Sequence, residues 1–107
     1  MVVEEFAVFK KLIDGLLTDD ERFELFDALT KNPEAGALTP GGGGQRKFRW
    51  GAGGAGKRGG LRVIYGYSNA RDQLLFMYVY PKSKKSDLTR EQVATLAKEV
   101  KVWLQKK

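Results

Sequence analysis

The chain has 107 residues, 42% of them hydrophobic and 30% charged, with a net charge of +6. That is enough apolar material for one core, and residues 1–107 are expected to form a single domain. There is no cysteine and no histidine, which excludes disulfides, thiolate chemistry, zinc sites built on those residues and histidine-based triads.

The apolar positions Phe6, Phe9, Ile13, Leu16 and Leu17 predict an amphipathic helix within residues 4–17. Met1–Val3 could add a short edge strand. Thr18 with Glu21 three residues later is a capping-box pattern. It predicts a second helix to about Leu29, with Phe23, Phe26 and Leu29 inward. Pro33 stops it. Residues 34–45 show no period and run into Pro40 and four glycines, so they are expected to be a loop.

From Arg46 the period becomes two. Arg46–Trp50 predicts a strand with Phe48 and Trp50 on one face and Lys47 and Arg49 on the other. Leu61–Tyr67 predicts a second strand. Leu74–Tyr80 predicts a third, apolar on both faces and so central. Residues 68–72 predict the turn between them. Thr89 and Gln92 repeat the capping-box pattern ahead of Val93, Leu96, Ala97, Val100, Trp103 and Leu104, a last helix with one apolar stripe. The expected class is α+β: two N-terminal helices, an antiparallel sheet of three to four strands and a C-terminal helix.

Residues 51–57, Gly-Ala-Gly-Gly-Ala-Gly-Lys, satisfy both common phosphate-loop patterns in letters. Both patterns need a helix after the loop to hold the phosphate. Here Arg58-Gly59-Gly60 and a β-branched, aromatic strand follow. The segment therefore reads as a hairpin tip carrying two cations, Lys57 and Arg58.

Charge is uneven along the chain. Residues 1–40 carry 4 basic and 9 acidic side chains, while residues 41–107 carry 15 basic and 4 acidic. Six cations and no acid lie between Arg46 and Arg62. A basic half of this kind points to a polyanion, nucleic acid first; an ordinary solvated sheet face would explain one or two of these cations. RNA brings its own nucleophile, the 2′-hydroxyl. Arginine suits the charged transition state through its fixed fork of donors. Lysine is a poor base near neutrality and a better one when crowded by cations; Lys47 beside Arg49 and Arg62 has that setting. The aromatics interleaved with the patch are expected to be mostly core, with one or two able to stack on bases. No apolar run approaches the ~18 residues of a membrane span. Residues 1–5 are acidic and lack the order of a signal peptide. A cytoplasmic location is expected.

Residues 43–50 (Gly-Gly-Gln-Arg-Lys-Phe-Arg-Trp), 56–65 (Gly-Lys-Arg-Gly-Gly-Leu-Arg-Val-Ile-Tyr), 79–82 (Val-Tyr-Pro-Lys) and 86–89 (Ser-Asp-Leu-Thr) form an ordered series. It resembles the RelE/HigB superfamily of bacterial toxins, with its nearest likeness to the HigB-2 type branch. The resemblance implies a RelE-like fold and a metal-independent mRNA endoribonuclease that cuts in the ribosomal A site without a cofactor. It also implies a cognate antitoxin, and contact with operator DNA only through that antitoxin. Lys47 and Arg49 take the family's base and phosphate roles, Arg62 the transition-state role, and Lys82 a further catalytic role. Arg46, Lys57, Arg58, Lys84 and Lys85 are expected to bind RNA. The alternatives are a non-catalytic RNA- or ribosome-binding module, including an inactive toxin homologue, and an interaction domain for an acidic protein. Salt dependence of RNA binding separates the last from the others.

Overall fold

The computed structural model describes residues 1–51, 60–84 and 87–106. The order is β1 (Val2–Glu5), α1 (Ala7–Asp14), α2 (Asp19–Lys31), β2 (Ala37–Leu38), β3 (Arg46–Trp50), β4 (Leu61–Ser68), β5 (Gln73–Pro81) and α3 (Arg90–Gln105). The expected α+β class holds, with two helices ahead of strands β2 to β5 and one after them. The sheet differs in detail. It has five strands in the order β1-β5-β4-β3-β2, and it is mixed, because β1 pairs parallel with β5. The central strand is β4, and β5 lies one place from the edge. Glu4 and Glu5 belong to β1 rather than to the first helix.

Both predicted capping boxes are present. Thr18 Oγ1 accepts from the Glu21 N–H while the Glu21 carboxylate accepts from the Thr18 N–H. Thr89 and Gln92 repeat the exchange at α3. Each satisfies donors that a helix start would otherwise leave open, worth about 0.5–2 kcal/mol. In α2, Leu25 and Leu29 are buried while Phe23 is 73% exposed. The spacing from Leu25 to Leu29, one turn apart, sets the inward face, and Phe23 falls outside it.

The sheet is covered on both faces, so the helices are not gathered on one side. α1 and α2 supply Phe9, Ile13, Leu25 and Leu29 to a core with Val63, Tyr65, Leu74 and Phe76. α3 supplies Leu96, Val100 and Trp103 to a second core with Ile64, Leu75 and Met77. Close approach of α3 depends on Gly66: a Cβ there would stand 2.7 Å from Val100 Cγ2.

Pairing between β4 and β5 runs Tyr65↔Phe76 and then Ile64↔Tyr78, with a register shift at that step. Met77 is thus an extra residue on β5, a β-bulge. Leu74 and Phe76 face α1 and α2, but Met77, Tyr78 and Tyr80 all belong to the α3 side.

The loop between α2 and β3 is anchored by Tyr65, which is fully buried. Its hydroxyl donates to the Pro33 carbonyl at 2.7 Å and accepts from the Gly36 N–H at 2.9 Å. Burial pushes the phenol's pKa up, against the opposing effects of the Gly36 N–H and Arg46. Tyr65→Phe leaves two main-chain groups without their partner. It is expected to cost about 1–3 kcal/mol, read as a lower urea midpoint with an unchanged m-value.

Candidate functional site

Two strands bring three of the predicted cations, Lys47, Arg49 and Arg62, to one face, and a third strand adds two tyrosines. Pairing aligns Arg49↔Arg62 and Lys47↔Ile64 across β3 and β4, then Arg62↔Tyr80 and Ile64↔Tyr78 across β4 and β5. Two cross-strand rows result: Arg49–Arg62–Tyr80 and Lys47–Ile64–Tyr78. Both lie on the α3 side of the sheet, since Ile64, Tyr78 and Tyr80 pack with that core. The bulge at Met77 is what turns the two tyrosines toward the cations.

Two arginines directly opposite each other on one face repel, because their Cβ atoms stand about 4.5–5.5 Å apart. Such a pair is more costly than a scattered surface charge unless an anion lies between or above it. Arg49 is exposed. Arg62 is only 4% exposed, unusual for this residue type, and its Nη1 lies 3.5 Å from the Leu61 carbonyl oxygen.

The resident anion is Asp87, two residues ahead of the α3 cap. Its Oδ1 accepts from Lys47 Nζ at 2.7 Å. That hydrogen bond, then the charges of Lys47, Arg62 and Arg49, holds the carboxyl below its ordinary value of 3.8. The crowding of Lys47 by cations alone, expected from sequence, is therefore modified: its nearest charged partner is a carboxylate. Asp87 is the only acid between Asp72 and Glu91, inside a run with Lys82, Lys84, Lys85 and Arg90. That isolation, together with its place in the 86–89 segment, is its signal in the sequence. The distance along the chain from Lys47 hid the contact.

The remaining expected residues divide. Lys82 and Lys84 sit in the turn after β5, where the Lys82 N–H donates to the Gly60 carbonyl at 3.2 Å and the Lys84 N–H to Pro81 at 3.1 Å. Both are exposed beside the Arg62–Tyr80 row. Arg46 does not join the patch. It alternates to the opposite face from Lys47, and its Nη1 donates to the Gly36 carbonyl at 2.8 Å while Nη2 pairs with Glu34. Lys57, Arg58 and Lys85, and with them the phosphate-loop-like segment, lie outside the described residues.

A protein-family model for the RelE toxin of RelE/RelB toxin–antitoxin systems matches residues 7–107. The chain belongs to that family. This RelE-family toxin is a member of a toxin–antitoxin pair, so an antitoxin is its partner. Among its described residues, no helix is long and apolar enough to cross a membrane. No group of three or more His, Cys, Asp or Glu stands ready to hold a metal ion there either.

The Lys47–Asp87 contact has a pH signature. A depressed carboxyl contributes stability in full above its ordinary value and loses it as pH falls through the lower folded value. Asp87→Asn is expected to lower the melting temperature slightly at neutral pH, because the pair is exposed and screened. The gap to the parent should close below pH 3.8. Thermal unfolding of both proteins across that range is the check; a gap that persists in acid would mean Asp87 is not held by charge.

Proposed function

We propose that this toxin is a ribosome-dependent, metal-independent mRNA endoribonuclease that inhibits translation by cutting the message in the A site. Family membership supports the class. The observation that carries the reading is the row Arg49–Arg62, flanked by Lys47 on the same sheet face. This is a cationic surface fixed by strand pairing rather than by flexible loops.

In this reading the phosphate displaces Asp87 and lies on the cations. The 2′-hydroxyl loses its proton, and its oxygen attacks phosphorus. The bond from phosphorus to the 5′-oxygen breaks. That oxygen takes up a proton, leaving a 2′,3′-cyclic phosphate and a 5′-hydroxyl. Arg49 and Arg62 hold the non-bridging oxygens as charge builds there. Lys47 serves the proton at the 2′-oxygen, and Lys82, at the open end of the row, serves the leaving side. Lys84 and the cations at positions 57, 58 and 85 bind the RNA backbone. Arg46 is left to the Glu34–Gly36 loop. The motif series supports a likeness to the HigB-2 type branch, and in this reading the toxin works in the cytoplasm and reaches operator DNA only through its antitoxin.

The burial of Arg62 favours a second reading, an RNA- or ribosome-binding module that does not cut. One assay separates the two. In a purified translation system with chelator, the parent is expected to cut mRNA only when ribosomes are present. Arg62→Ala and Lys47→Ala, checked for fold by circular dichroism, should each lose about 100-fold or more in rate. Ribosome binding with intact message would support the module instead.

A further inference from the structure

Tyr80 carries a polar atom that the fold of the free toxin does not use. The residue is 4% exposed, and its hydroxyl is buried with no hydrogen-bond partner among the described residues. A buried polar group left unpaired costs free energy, and natural structures leave few of them. The placement is specific. Tyr80 is the direct cross-strand partner of Arg62, at the end of the row Arg49–Arg62–Tyr80. Its ring lies 6.1 Å from that of Tyr78, at 42°. The charged groups acting on it are Asp87, from the segment before α3, and Arg62, from β4. Burial first, then Asp87, pushes the phenol's pKa up, with Arg62 opposing. The group therefore keeps its proton near neutrality and has one hydrogen to donate.

A phenylalanine would fill the same apolar space against the α3 core and avoid the cost. The hydroxyl makes sense where a transient acceptor arrives. On the reading proposed above, on which this inference rests, that acceptor is the RNA phosphate, brought to the cations where Asp87 now stands. We infer that the Tyr80 hydroxyl is a substrate-contacting group, donating a hydrogen bond to a non-bridging oxygen of the scissile phosphate beside Arg62. It reinforces the arginine fork from the β5 side and fixes which oxygen faces the sheet. Bond making and breaking proceed as already described, and the tyrosine keeps its proton throughout.

The test is Tyr80→Phe, with Arg49→Ala as a reference, assayed on ribosome-bound mRNA in single turnover and by thermal unfolding. The expected result couples two opposite changes. Cleavage slows by about 10- to 100-fold, the loss of one hydrogen bond to a charged group. The melting temperature of the free toxin rises, because an unpaired buried hydroxyl has been removed. A third readout is chemical. Replacing one non-bridging oxygen by sulfur, in separated diastereomers, should slow the parent toxin more for one diastereomer than for the other, and Tyr80→Phe should narrow that difference, the arginines accounting for what remains. If Tyr80→Phe cuts at the parent rate while Arg49→Ala does not, the hydroxyl is idle and the inference falls, but the cationic site stands. If the melting temperature drops, the hydroxyl has a structural partner, and the inference falls on that ground. If the parent does not cut at all, the endoribonuclease reading fails and takes this one with it.

Discussion

Met77 has no partner across β4, and beyond that residue, from Tyr78, the side-chain alternation of β5 is reversed. Strict alternation from Leu74 would send Phe76, Tyr78 and Tyr80 to the α1–α2 face together. The extra residue divides them. Phe76 stays in the aromatic group with Phe9 and Phe26, at centroid distances of 5.2 and 4.5 Å, while the tyrosines join Arg62 and Lys47. The composition of the site face follows from that one insertion. Bulges recur beside functional sites because they re-aim side chains without breaking the strand. Around it, Gly66 lets α3 descend close enough to seal the other half of the same face, and the α3 cap then presents Asp87 to Lys47.

What could be read in the sequence was what local periodicity and capping encode. β3, β4 and β5 appeared within a residue or so of their observed bounds because period-two patterns are local. Both capping boxes were legible for the same reason. The alternation of Arg46–Trp50 was enough to put Lys47 and Arg49 on one face. Pairing information was not legible. β1 pairs parallel with a strand about 70 residues away, and its Glu4 and Glu5 look like the first turn of a helix. β2 has only two residues and no period to show. Phe23 is apolar and so reads as inward, whereas Leu25 and Leu29 define the buried face. The contacts of Asp87 and the surroundings of the Tyr80 hydroxyl depend on the sheet register and on the path into α3, which no local pattern encodes.

The site also combines electrostatic costs with a local remedy. Opposed arginines and a nearby lysine repel one another, and Asp87 supplies a single negative charge in reply. A carboxylate on a short segment between a strand and a helix is a weak counter-ion, easily exchanged for a better one. Phosphate offers more acceptor atoms in a geometry that matches the arginine fork. An acidic antitoxin segment would compete for the same cations by the same physics.

The parallel contact between Val2–Glu5 and Gln73–Phe76 has a consequence for how the molecule comes into being. β1 must wait for β5, the last of the described strands, and the closing helix α3 follows both. Non-local pairing of this kind raises contact order and delays folding until the distant segment is available. On a translating ribosome the edge of the sheet stays open until residue 76 has emerged, and the cationic face stays unsealed until α3 is out. Partly made chains that lack β5 or α3 thus lack the assembled face.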